Sequence, residues 1–109
     1  MNLALNNISK IENIEGCESL RKLDMTVNFI DVFEIHESVE CLSKLPNFKE
    51  IYLTGNPCEE WAGCKDYVIA NIPRLELYNG ETITPSMRIK AVQNLPALKQ
   101  DLYHQIQMK

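Results

Sequence analysis

Apolar positions return in one fixed spacing through the first half of this chain. Met1-x-Leu3-x-x-Asn6-x-Ile8 is followed by Leu23-x-Met25-x-x-Asn28-x-Ile30 and by Ile51-x-Leu53-x-x-Asn56-x-Cys58. Two apolar residues spaced by two point to the same side of a short strand. An inward asparagine can then satisfy the backbone groups that the following sharp turn leaves unpaired. The pattern predicts short parallel strands near residues 2–5, 22–25 and 50–53, with a fourth near 76–78 where Leu75-x-x-Tyr78-x-Gly80 resumes the spacing. Asn6, Asn28 and Asn56 would form a structural ladder through an otherwise apolar core.

The asparagines stand 22 and 28 residues apart, inside the roughly 20–29-residue period of a leucine-rich repeat. The fold class this predicts is α/β: a solenoid with short parallel strands on its concave face, helices on its convex face, and a C-terminal helical cap. Ile8, Ile11 and Ile14, then Ile30 and Phe33, would line the convex side. Such a solenoid carries no built-in reaction chemistry, so the expectation moves from enzyme to binding surface. Leu20 and Phe48 stand three residues before Leu23 and Ile51, whereas Met1 begins in mid-strand. Because solenoid ends need caps, we expect earlier repeats to be missing; the alternative is a partner or dimer contact over the open end.

The second half reads as helix. Ile35, Val39, Leu42 and Leu45 follow helical spacing, and Pro46 ends that stretch. Trp61, Cys64, Val68 and Ile72 predict an amphipathic helix over 59–71, opened by acidic residues that suit the helix dipole. Trp61 and Tyr67 read as cap packing. Thr84 as N-cap with Pro85 at N1 predicts a helix over 85–93. Asn94 and Pro96 restart a second one along Leu98, Leu102 and Ile106, expected to leave the domain as an exposed helix. The division is therefore 1–83, repeats and cap, and 84–109, a helical extension.

Composition fits one modest domain: 109 residues, 45% hydrophobic and 24% charged. A net charge of −4 argues against direct nucleic-acid binding, which leans on basic patches. No apolar run approaches the ~18 residues of a membrane span. Cys17, Cys41, Cys58 and Cys64 contain no C-x-x-C pair, so neither metal nor cofactor is expected. His36 and His104 stand in no arrangement that points to a catalytic triad. No catalytic residue is predicted, and the chain reads as a non-enzyme.

Asn56-Pro57-Cys58, Tyr67-Val68-Ile69, Ile72-Pro73-x-Leu75 and Gly80 resemble the C-terminal cap of 22-residue repeat proteins of the phosphatase-regulator and spliceosomal type. Closer still, Leu3-Ala4-Leu5-Asn6-Asn7-Ile8, Ile14-Glu15-Gly16-Cys17, Lys22-Leu23-Asp24-x-Thr26-Val27-Asn28-Phe29-Ile30, Gly55-Asn56-Pro57-Cys58 and Pro85-Ser86-x-Arg88-Ile89-Lys90-Ala91 resemble the tilB-type leucine-rich-repeat family of dynein axonemal assembly factors. Tyr78-Asn79-Gly80 departs from the usual Leu-Asp-Gly of that cap. The resemblance implies a cytoplasmic protein of ciliated or flagellated cells, with the cilium or flagellum as a further location. It also implies a role in preassembling axonemal dynein arms, and partners that are chaperones, dynein subunits or other assembly factors. A nuclear protein of the spliceosomal or phosphatase-regulator type is the alternative.

In such a horseshoe, strand residues alternating with the core positions face outward. The predicted protein-binding residues are Arg21, Lys22, Asp24, Thr26, Lys49, Glu50, Tyr52 and Thr54. Val27 and Tyr52 are conspicuous there, being apolar and aromatic at solvent-facing positions. Oligomeric state is left open by the sequence.

Overall fold

The computed structural model describes residues 2–8, 11 and 16–107, without the side chain of Phe33. The expectations placed on Met1, Ile14 and the Phe33 side chain lie outside the described residues. β1 (Lys22–Asp24) and β2 (Glu50–Tyr52) pair in parallel with Leu23 opposite Ile51. β3 (Leu77–Tyr78) continues the parallel sheet through Ile51 and Tyr78. β4 (Glu81–Thr82) then folds back antiparallel on β3. The strand predicted over 2–5 is reduced to a single parallel bridge between Asn2 and Asp24, extended by Leu3 N donating to Asp24 O at 2.8 Å and Leu5 N to Thr26 O at 2.9 Å.

The alternation of apolar and polar residues explains which face is covered. Leu23, Met25, Ile51 and Leu53 are buried, and they join one core with Ile35, Val39 and Leu42 from α1 (Val32–Ser43) and Val68 and Ile69 from α2 (Cys64–Asn71). The Asp31 carboxylate accepts from the first amide of α1 at 2.7 Å, an N-cap that starts the helix before the first position of its apolar stripe. The buried Ser38 hydroxyl of α1 accepts from Ile11 N at 3.0 Å, which ties the first repeat to this helix.

Two expectations are corrected. The helix predicted over 59–71 is broken: a short 3₁₀ turn covers Pro57–Glu60 and α2 begins at Cys64. A Cβ on Gly63 would lie 2.8 Å from the Trp61 ring and 2.9 Å from Leu98. Trp61 and Leu98 therefore close over a bare backbone, and that packing outweighs the helical spacing. The helix through Leu98, Leu102 and Ile106 does not leave the domain. α3 (Pro85–Gln93) buries Ala91, and α4 (Leu95–Gln107) buries Leu102 in the common core. The Trp61 indole N–H donates to the Asp101 carboxylate at 2.6 Å, fixing α4 across the 3₁₀ turn. Arg88 of α3 reaches back to the carbonyls of Ile72 (3.3 Å) and Leu75.

Candidate protein-binding face

The site is a strand surface, so what fixes the strands comes first. Asn28 is buried; its amide donates to Leu3 O (3.0 Å) and Met25 O (2.9 Å), and its Oδ1 accepts from Ile8 N (3.1 Å). Asn56 is also buried, donating to Met25 O (2.8 Å) and Leu53 O (2.9 Å) and accepting from Ile30 N (3.1 Å). Each side chain joins its own turn to the preceding repeat. Asn6 makes only the local half of this set, donating to Leu3 O (2.8 Å) and Ala4 O (3.1 Å), and it is exposed.

A fourth asparagine was missed by the repeat pattern. Asn79 and Gly80 both have positive φ (51° and 83°) and form the two-residue connection between β3 and β4. That is the requirement of a type I′ hairpin, for which Asn-Gly is a strong sequence signal. The hairpin turns the chain away just where β2 needs another backbone acceptor. Asn79 Oδ1 supplies it, accepting from Leu53 N at 2.7 Å. Glu59 holds the arrangement in place, accepting from the Asn79 amide and, at 2.6 Å, from the Tyr78 hydroxyl.

The outward residues of β1 and β2 form one surface. Arg21, Lys22 and Thr54 are exposed, while Asp24, Thr26, Lys49, Glu50 and Tyr52 are half-buried. Lys22 Nζ lies 5.1 Å from the Tyr52 ring centroid, within cation–π range. Tyr52 is thus a partly packed platform rather than a free side chain. Lys49 faces Glu76 at 3.5 Å. The Thr26 hydroxyl (2.6 Å) and backbone N–H (3.0 Å) both donate to Asp24 Oδ1. These bonds hold the Asp24 carboxyl below its ordinary value, the Thr26 hydroxyl contributing most. The surface is a mixture of both charge signs around one aromatic ring, suited to polar recognition with an aromatic anchor.

Away from this face, the buried Tyr67, Tyr78 and Cys58 belong to the core. Burial pushes the Tyr78 hydroxyl well above its ordinary value, aided by Cys64 and Glu59, and burial likewise raises Tyr67. The Cys58 thiol is raised by its hydrogen bond with Cys64 and by burial, the opposite of what a nucleophilic thiol needs. Among the described residues, no group of three or more His, Cys, Asp or Glu side chains could hold a metal ion.

Comparison with known proteins places the sequence. No family model matches the chain. It is 44% identical over 105 residues to the dynein axonemal assembly factor 11 of Mus musculus, a match covering 96% of this chain and 22% of that protein. It is 39% identical over 97 residues to the protein of the same name from Trypanosoma brucei brucei, covering 86% of this chain and 24% of that one. The chain therefore spans about a quarter or less of the length of these relatives. A chain of the Drosophila melanogaster SNF/U2A′ complex matches in structure with a TM-score of 0.71 at 25% identity, over 84% of this chain and 53% of its own. The leucine-rich-repeat domain of Chaetomium thermophilum Mex67 matches with a TM-score of 0.63 at 22% identity, over 82% and 61%. The α/β leucine-rich-repeat fold and the resemblance to the tilB-type assembly factors stand on these similarities.

Proposed function

We propose that this segment, similar over nearly its whole length to part of the dynein axonemal assembly factor 11 proteins, is a non-catalytic protein-binding platform in the assembly of axonemal dynein arms. The observation that carries the proposal is the 44% identity across 96% of the chain. A trypanosome relative at 39% supports a role held in common by distant flagellated cells. The outward strand face centred on Lys22 and Tyr52 is where we place the partner, with Arg21, Asp24, Thr26, Lys49, Glu50 and Thr54 around it. Chaperones, dynein subunits or other assembly factors are the partner classes. The work is done in the cytoplasm, with the cilium or flagellum as destination.

Residues 1–83 act in this reading as repeats and cap, and 84–109 as a helical extension, whose α3 and α4 bury Ala91 and Leu102 in the common core. The nuclear alternative is disfavoured by the sequence relatives. Disruption of the gene in a flagellated cell tests the proposal. Loss of dynein arms from axonemes of normal length supports it. Intact arms with full motility would refute it.

A further inference from the structure

Three equivalent positions precede the repeat asparagines, and all three take the left-handed backbone conformation: Leu5 (φ 61°), Val27 (φ 53°) and Gly55 (φ 84°). Glycine is the economical residue there, and a β-branched residue is an outlier. Leu5 and Val27 nevertheless hold apolar side chains at these positions, and the side chains face solvent, 78% and 47% exposed. Phe29, two residues beyond Val27, is 58% exposed. These large apolar groups contribute little burial to the fold while two of them occupy strained backbone.

Gly55 and Phe29 border an open space beside the row. Gly55 has no side chain, and a Cβ there would meet Val27 Cγ2 at 2.9 Å. Asn28, Phe29, Gly55, Asn56, Pro57, Glu59 and Glu60 line an open space of about 400 Å³. Its rim is acidic: Glu59 is committed to Tyr78 and Asn79, whereas Glu60 is exposed and has no ion-pair partner among the described residues.

We propose that Leu5, Val27 and Phe29, with the open space beside Gly55, form a second docking site that adjoins the outward strand face at Thr26 and Thr54. Its occupant is a basic amphipathic segment of a partner protein, one apolar side chain entering that space and a neighbouring Lys or Arg meeting Glu60. Charge complementarity selects this occupant: Phe29 and Pro57 offer apolar contact within the space, and Glu59 and Glu60 make its rim negative. An acidic or uncharged segment would lack the second contact.

The full-length protein is titrated by fluorescence anisotropy with labelled amphipathic peptides of three kinds: Leu with Lys, Leu with Glu, and Ser with Lys. The Leu/Lys peptide binds about tenfold more tightly than either control. Val27→Gly removes the side chain and relieves the left-handed strain, so it keeps or raises the melting temperature while weakening the Leu/Lys peptide about tenfold. Glu60→Lys shifts preference toward the Leu/Glu peptide. Equal affinity for Leu/Lys and Ser/Lys peptides would overturn the proposal, as would Val27→Gly lowering stability with binding unchanged. Self-association of the free protein that Val27→Gly abolishes would also overturn it, assigning the row to a second copy.

Discussion

Within this segment, the two ends of the sheet carry related sequence and stand in different physical states. At one end, Asn6 closes its own turn by the same bond that Asn28 and Asn56 use, yet it is exposed, and Leu3 and Ile8 are only half-buried. At the other end, the Asn79–Gly80 hairpin satisfies the last strand and α2, α3 and α4 bury Leu75, Ile83, Ala91 and Leu102. The motif sets the local turn. Burial comes from what is stacked upon it, and a buried polar group gains its structural weight only once water is excluded.

The largest effect should fall at the covered end. Leu102→Ala opens a cavity beneath α4, and such truncations cost about 2–5 kcal/mol. Urea denaturation should show a lower midpoint with a similar slope. A midpoint unchanged by the substitution would mean that α4 contributes nothing to the core.

The ladder itself gives the sharper contrast. Asn56→Leu strands several buried backbone groups, and Asn28→Leu strands one buried and several part-buried ones, at about 1–3 kcal/mol each variant. Asn6→Leu, made at a site exposed in this 109-residue segment, should stay within about 0.5 kcal/mol when the same segment is melted. Equal losses at all three positions in parallel thermal melts would erase the distinction between the ends.

A smaller effect lies in the alkaline range. Tyr78 and Tyr67 have folded-state values raised above their unfolded ones. Their contribution to stability is therefore fully present below the unfolded value, near 10, and is lost as pH rises toward the folded values. Their phenolate absorbance should appear together with loss of helical circular dichroism. If it developed before unfolding, the buried Tyr78–Glu59 contact at the covered end would not hold.

Much of this contrast is legible in the residues. The Leu23, Met25 and Asn28 spacing announces strand and turn, and Thr84-Pro85 marks the start of α3 to the residue. The break at Gly63 is not legible, because Trp61, Cys64, Val68 and Ile72 keep a helical period through it; only the contact with Leu98, distant in sequence, reveals it. Leu75, Tyr78 and Gly80 are legible as a resumption of the strand spacing, but the capping of Leu53 by Asn79 depends on where the sheet stops. The outward strand residues follow from alternation. That Tyr52 is half-packed beneath Lys22 does not, since the register between β1 and β2 sets it.

The most direct test of the account reverses charge on the exposed edge of the strand face. Arg21→Glu with Lys22→Glu, introduced into the full-length protein of a flagellated cell, should leave abundance and melting temperature near wild type, because exposed substitutions usually shift stability by no more than ~0.5 kcal/mol. Affinity purification should then recover markedly less axonemal dynein or chaperone than wild type. Undiminished recovery of the same components, with normal dynein arms on the axoneme, would contradict the claim that this face holds the partner.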